Sequence, residues 1–301
     1  MHQTHKMTPN CEATISRGGQ NKKRPLDVDS DSPQMKSKKF HAEEVELNDP
    51  QPIRILKKKE YRKGVLLGQG AFGKAFRCKV KTCDGAWKDA VLKTLTNWGD
   101  RTEFDRETEK LNFLQGIEGV PILYGRITFP RPGIVMSYNG GLTLTTFMEQ
   151  RSEELPLLCR IMAKVALILE TIHDVGVGHN DLHGANIMID EPPAEGQDEV
   201  PTLIDFGFSL PFGKQLYEEQ LEGWESYHYD PILSRDCGLT SAETDIYSFG
   251  KLLEKLPSSS RSPEGRRLDE LIRKAQSPDK TICPSLESFR DALMAINISV
   301  T

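Results

Sequence analysis

The chain has 301 residues, which suffices for one two-lobed domain or two small domains. Its 39 Lys and Arg side chains against 44 Asp and Glu side chains give a formal net charge of -5, which favours neither a general nucleic-acid binder nor a membrane-surface protein. The 6 cysteines are scattered, without the short paired spacings of a zinc site or the density of a disulfide framework. Since there is also no apolar leader and no long uncharged apolar run, the composition predicts a soluble protein of a reducing, intracellular compartment.

Residues 1–55 are predicted to form a disordered basic and polar tail, because they offer almost no periodic apolar residues to offset the entropy lost on ordering. Within this tail, Lys22-Lys23-Arg24 and Lys36-Ser37-Lys38-Lys39 form two basic clusters that resemble a bipartite nuclear-import signal. The alternative is a solvated charge run. We expect a location in the nucleus, the cytoplasm or both, with a nuclear-import receptor bound through Lys22–Lys39. No direct binding of nucleic acid or membrane is expected.

Short apolar runs punctuated by glycine follow the tail and predict strands, interrupted by one helix with Phe104, Leu111 and Leu114 on one face. The predicted strands cover Gly64–Gly68, Ala75–Val80, Ala90–Leu95, Ile122–Phe129 and Ile134–Tyr138. Apolar spacing then becomes helical. It predicts helices around Leu158–Ile172, Ile246–Leu256, Leu268–Ile272 and Leu286–Leu293. The predicted fold class is α+β, with a β-rich lobe before a mainly helical lobe.

A glycine-rich segment lies between the first two predicted strands, where backbone N–H groups can approach phosphates without a Cβ in the way. Its residues are Leu67, Gly68, Gln69, Gly70, Ala71, Phe72, Gly73, Lys74 and Ala75. Similar spacing opens dinucleotide-binding folds, but there a helix follows the glycines. Here another strand-like run follows, so the context favours a phosphate-covering hairpin.

Two further motifs carry catalytic residue types. His179-Asn180-Asp181-Leu182-His183-Gly184-Ala185-Asn186 places Asp181 and Asn186 at a fixed spacing, and Asp205-Phe206-Gly207 follows a strand-like run. The acidic segment 191–201 accounts for the long gap between them. Asp245-Ile246-Tyr247-Ser248-Phe249-Gly250 opens a predicted helix. With the glycine-rich hairpin and Ala90-Val91-Leu92-Lys93, this ordered set resembles the eukaryotic-type protein kinase superfamily.

The resemblance covers roughly residues 56–300 and implies a bilobal protein-kinase fold over residues 56–301, with an N-lobe at 56–138 and a C-lobe at 139–301. It implies ATP and Mg²⁺ as cofactors, with the glycine-rich residues, the Lys93–Glu107 pair and the hinge residues Met136 and Tyr138 on the nucleotide. Glu103 and Glu109 are alternatives to Glu107. Asp181 would accept the substrate proton, and Asp245 would brace the catalytic loop. Asn186 and Asp205 would hold the metal.

The sequence departs from the family pattern in three places. Asn180 stands where many kinases have Arg, so no guanidinium is available to clamp a phosphorylated activation segment. We therefore expect activity without modification of Tyr217, Ser226, Tyr227 or Tyr229. His183 replaces the usual Lys; as a catalytic residue protonated beside a triphosphate it would give a pH dependence near neutrality.

The third departure concerns an ion pair. Tyr229-Asp230-Pro231-Ile232 occupies the place of the usual Ala-Pro-Glu, and Ile282-Cys283-Pro284 the place of the partner Arg. Both members of that ion pair are therefore expected to be missing.

Three functions compete on the sequence alone. An active protein kinase acting on a protein hydroxyl, of Ser/Thr type as the commoner class, is favoured. A kinase-fold phosphotransferase for small molecules is suggested by His183 after Asp181-Leu182. A pseudokinase scaffold would lack the lysine, the base or a metal ligand, and all of these residues are present.

Overall fold

The computed structural model describes residues 52–70, 73–95, 102–129, 131–190, 199–216, 229–233, 238–257 and 262–300. The predicted import clusters, and Ala71 and Phe72 at the tip of the glycine-rich hairpin, lie outside these ranges. All structural statements below concern the described residues.

An antiparallel sheet of 5 strands forms the first lobe, in the order β1-β2-β3-β5-β4. Its strands are β1 (Tyr61–Gln69), β2 (Gly73–Lys81), β3 (Trp87–Leu95), β4 (Leu123–Ile127) and β5 (Gly133–Ser137). One helix, α1 (Thr102–Phe113), connects β3 to β4. Because α1 presents Phe104 and Leu111 to the core, it packs across the sheet and against the turn at Phe206–Phe208.

The second lobe is mainly helical in its described part. Its helices are α2 (Leu144–Gln150), α3 (Leu155–Asp174), α4 (Ala242–Leu253), α5 (Pro263–Ala275) and α6 (Leu286–Val300). The centre of this lobe is α3, whose apolar residues cover most of its surface, as expected of a helix buried on several sides. It packs against α6, while the rings of Phe249 and Phe289 meet edge to face at 5.5 Å.

Short strands carry the segments between the lobes. β6 (Leu142–Thr143), β8 (Ile187–Asp190) and β9 (Val200–Leu203) form one small sheet, and β7 (Val177–Gly178) pairs with β10 (Leu210–Pro211). The catalytic loop therefore leaves β7 and enters β8, and Asp205 lies just after β9.

The α+β fold class is confirmed, and each predicted strand and helix overlaps an observed one. One boundary is wrong. Leu256 lies beyond the end of α4, because Glu254 already caps that helix with its backbone N–H bonded to the Gly250 carbonyl. No helix in the described ranges is long and apolar enough to span a bilayer.

Candidate active site

Asp245 fixes the backbone of the catalytic loop from the first turn of α4. Its carboxylate is fully buried and accepts hydrogen bonds from the His179 amide at 2.7 Å and the Asn180 amide at 2.8 Å. The His173 ring nitrogen Nε2 lies 2.9 Å from the same carboxylate. Burial alone would raise the pKa of Asp245, but these hydrogen bonds hold it below its ordinary value. Asp245 is thus an ionised brace, as its motif predicted.

Asn180 adds a second brace that was missed in the sequence. With Asp205 it forms the set of non-glycine residues at positive φ in the described part of the chain, with φ of 61° and 64°. Asn tolerates this left-handed conformation well. Its buried amide nitrogen donates to the Gly178 and Phe208 carbonyls at 3.2 and 3.1 Å, and its oxygen accepts from Thr244. The residue that lacks the guanidinium therefore ties the loop to its neighbours.

Lys93 lies at the centre of a three-residue ion-pair cluster. Its ammonium nitrogen is 2.8 Å from a Glu107 oxygen and 2.8 Å from Asp205 Oδ1. The predicted Lys93–Glu107 pair is therefore present, and it joins α1 to β3. Burial would lower the pKa of Lys93, but the two carboxylates raise it above its ordinary value. Burial would raise the pKa of Asp205, while Lys93 holds it below its ordinary value.

A continuous set of contacts runs from Lys93 to Asp181. Beyond the Lys93–Asp205 pair, the Ile204 amide donates to the Asn186 carbonyl at 2.9 Å. The Asn186 side-chain amide then donates to Asp181 Oδ2 at 2.8 Å. The ring of Phe206 is buried against His179, 4.9 Å between centroids, which holds Asp205 on the cleft side. The predicted base, metal ligands and lysine are thus brought together in one site.

Two other groups lie near Asp181 Oδ1. His183 Nε2 is 3.6 Å away, while its other ring nitrogen accepts from the Ala185 amide. This acceptor role leaves the proton of a neutral imidazole on Nε2, facing Asp181. The Tyr229 hydroxyl donates to the same oxygen at 2.5 Å. Sequence patterns gave no sign of that contact.

The glycine-rich hairpin lies directly over Lys93. Gly68 pairs with Ala75, Gln69 pairs with Lys74, and Ala75 lies opposite Lys93 on β3. A Cβ at Gly73 would collide with the Thr94 carbonyl, so the strand pairing itself requires glycine there. A Cβ at Gly68 or Gly70 would meet no described atom within 4 Å. Packing does not explain these two glycines, and the open space suits phosphate oxygens.

The hinge region follows β5. Met136 is 7% exposed and packs in the main core cluster, opposite Val91 of β3. The Tyr138 ring stacks on the Arg77 guanidinium, 4.3 Å from its carbon to the ring centroid. The Tyr138 side chain is therefore turned toward β2, so its role toward a nucleotide would fall to its backbone.

The residues present fit a magnesium ion shared with phosphates. The amide nitrogen of Asn186 is committed to Asp181, which leaves its carboxamide oxygen as the atom for a cation. Asp205 supplies a carboxylate. No cluster of three or more His, Cys, Asp or Glu suited to a metal occurs among the described residues. Two oxygen ligands match Mg²⁺, which usually takes few protein ligands and completes its shell with water and phosphate.

The expectation that the ion pair below the active site is missing is wrong. Asp230, 3% exposed, pairs with Lys280 Nζ at 2.5 Å, and it also accepts from the Ile232 amide. The shorter Asp and the Lys at a neighbouring position replace the usual Glu and Arg. A buried carboxylate without a cation would be costly, which explains why the pair exists in altered form.

The two lobes and this arrangement of side chains are those of a kinase. A family profile described as "Protein kinase domain" matches residues 61–283. The chain therefore belongs to the protein kinase family.

Relatives are distant. The chain is 28% identical over 253 residues to serine/threonine-protein kinase pkn3 of Myxococcus xanthus, covering 76% of this chain and 45% of that protein. It is 25% identical over 233 residues to the tyrosine kinase receptor Cad96Ca of Drosophila melanogaster, covering 70% and 29%. It is 35% identical over 194 residues to serine/threonine-protein kinase PknG of Mycolicibacterium smegmatis, covering 61% and 23%. The chain thus spans less than half the length of these relatives.

Proposed function

We propose that the chain transfers the γ-phosphoryl group of ATP to a hydroxyl of a protein substrate. The observation that carries this proposal is the unbroken line of contacts from Lys93 through Asp205 and Asn186 to Asp181. Those groups are the ones that phosphoryl transfer uses to hold phosphates and a metal and to accept a proton.

Each residue has a physical task in this proposal. Lys93 binds phosphate oxygens and is held by Glu107, so that its position does not depend on the ligand. Asp181 orients the acceptor hydroxyl and takes its proton, with its own position fixed by the Asn186 amide. His183 Nε2 lies close enough to Asp181 to share in binding the transferring group. When bound by Asn186 and Asp205, Mg²⁺ would neutralise charge on the phosphates.

The acceptor class is proposed to be Ser/Thr. Two of the relatives described above carry serine/threonine kinase in their names, and one is named a tyrosine kinase receptor. Phosphoamino-acid analysis of labelled substrate decides between the two classes.

The deciding experiment incubates the purified chain with γ-labelled ATP, magnesium and a mixture of proteins and small hydroxyl compounds. Asp181→Asn should abolish transfer, because the amide keeps the shape but cannot take the proton. Asp174→Asn, an exposed carboxylate at the end of α3, is the matched control and should retain activity. Label on protein supports the proposal. Label only on small molecules, or none with a folded chain, contradicts it.

We also propose that Lys22–Lys39 directs nuclear import. The proposal rests on the spacing of the basic clusters. Replacing Lys22-Lys23-Arg24 with alanines in a fluorescent fusion should abolish nuclear accumulation. Alanines at the exposed basic run Lys57–Lys59 form the control. Unchanged accumulation in the first variant would refute the import role.

A further inference from the structure

The Tyr229 hydroxyl occupies the position of an acceptor hydroxyl at Asp181. Asp181 Oδ2 is engaged by the Asn186 amide, so Oδ1 is the oxygen left to receive a substrate proton. Tyr229 donates to that oxygen at 2.5 Å. His183 Nε2, the other charged or titratable side chain near Oδ1 in the described ranges, is 3.6 Å away. An incoming protein hydroxyl would therefore have to displace Tyr229.

The surroundings keep the Tyr229 hydroxyl protonated. The side chain is partly buried, and burial together with the charges of Asp181 and Asp205 raises the pKa of Tyr229 well above its ordinary value. A neutral phenol is a weak nucleophile unless a base takes its proton as it attacks. Asp181 lies at hydrogen-bond distance from that proton, which is the geometry such a base requires.

We propose that Tyr229 is a substrate of its own active site and accepts one phosphoryl group from ATP within the same chain. The Tyr229 oxygen forms a bond to the γ-phosphorus, and the bond from that phosphorus to the β,γ-bridging oxygen breaks. ADP leaves with the electron pair of that bond. The phenol proton passes to Asp181 and then to water. This inference rests on the proposed function and names its first acceptor.

The product would be repelled from the place where it forms. A phosphotyrosine carries roughly two negative charges near neutral pH, and here Asp181 and Asp205 already raise the pKa of Tyr229 through their charges. Asn180 offers an amide already bonded to Gly178 and Phe208 in place of a guanidinium that would hold the phosphate. Modification of Tyr229 should therefore free Asp181 Oδ1 for an external substrate.

A purely structural hydrogen bond is the competing explanation, and Tyr229→Phe separates the two. If Tyr229 occupies the acceptor position, the phenylalanine variant lacks the competing hydroxyl and should phosphorylate an external protein without the initial lag of the wild type. The expectation that activity does not require modification of Tyr229 then still holds. If the bond is only structural, the variant should lose external activity and stability together.

The decisive measurement is phosphopeptide mass spectrometry of the full chain after incubation with ATP and magnesium. We expect one phosphate on Tyr229, formed at a rate constant that does not change on dilution, and none in Asp181→Asn. Tyr247→Phe, which removes the hydroxyl of a half-buried tyrosine on α4, should behave like the wild type. An Asp181→Asn chain mixed with active wild type should stay unmodified at Tyr229.

Different failures point to different errors. A chain that phosphorylates external protein while Tyr229 stays unmodified overturns this inference and leaves the proposed function intact. Modification of Tyr229 in the mixed Asp181→Asn chain overturns the intramolecular step. A folded chain that labels neither itself nor any protein overturns both proposals.

Discussion

Replacing Lys93 with methionine should destabilise the chain strongly at neutral pH, because it strands buried charge. Methionine keeps the length of the side chain but removes the ammonium that both Glu107 and Asp205 contact at 2.8 Å. The Glu107 side chain is 3% exposed, so its carboxylate would remain buried without a cation. Breaking a buried pair costs about 3–5 kcal/mol. Asp205, one third exposed, adds at most about 1 kcal/mol.

Urea unfolding of the wild type, Lys93→Met and Lys93→Met/Glu107→Gln checks this prediction. The double variant should recover about 1–3 kcal/mol of the loss, because a neutral amide replaces the stranded charge. Lys88→Met, exposed on the same strand, is the control and should change stability by less than about 0.5 kcal/mol.

The pH dependence gives a second readout. Since Lys93 holds the pKa of Asp205 below its ordinary value of 3.8, that pair contributes stability above about pH 4 and loses it in stronger acid. The gap between wild type and Lys93→Met should therefore narrow below about pH 4. A gap under about 1 kcal/mol at neutral pH, or single-variant losses that simply add, would refute the charge-burial reasoning.

The other predictions concern the braces and the imidazole. Asp245→Asn should lower the free energy of unfolding by about 2–4 kcal/mol and lower kcat more than it raises KM, because an amide cannot accept from both loop amides; an unchanged urea midpoint would count against the brace. Lys280→Met should cost about 1–3 kcal/mol, recovered in part by adding Asp230→Asn, and additive losses would show that the pair is not coupled. His183→Gln should flatten the pH–rate profile near neutrality; an identical profile would exclude a protonic role.

The contacts that sequence reasoning found were those tied to an ordered motif. Lys93 and Glu107 were paired in advance because the strand and the helix that carry them follow in a fixed order, and their apolar neighbours revealed both elements. Asp245 was placed under the catalytic loop for the same reason. Apolar periodicity likewise predicted the strands of the first lobe and the long helix of the second.

Contacts between residues without a motif could not be found in this way. Asp230 and Lys280 were missed because the expected pair was Glu and Arg, and the shorter carboxylate and a shifted cation sit at other positions. Nothing in the local sequence of Tyr229 distinguishes it from an ordinary aromatic residue. Its contact with Asp181 depends on where the chain after Asp205 returns to the cleft, a tertiary property that periodicity does not encode.

Asn180 links these observations into an account of regulation. In a kinase with Arg at this position, the loop gains a cation that needs a phosphate partner. Here the side chain is buried, and its amide spends both polar atoms on Gly178, Phe208 and Thr244. Together with Asp245, these hydrogen bonds position the loop without any phosphate. A negative charge added at Tyr229 therefore has no task in assembling the site. Its effect is confined to the oxygen of Asp181 that the unmodified hydroxyl occupies.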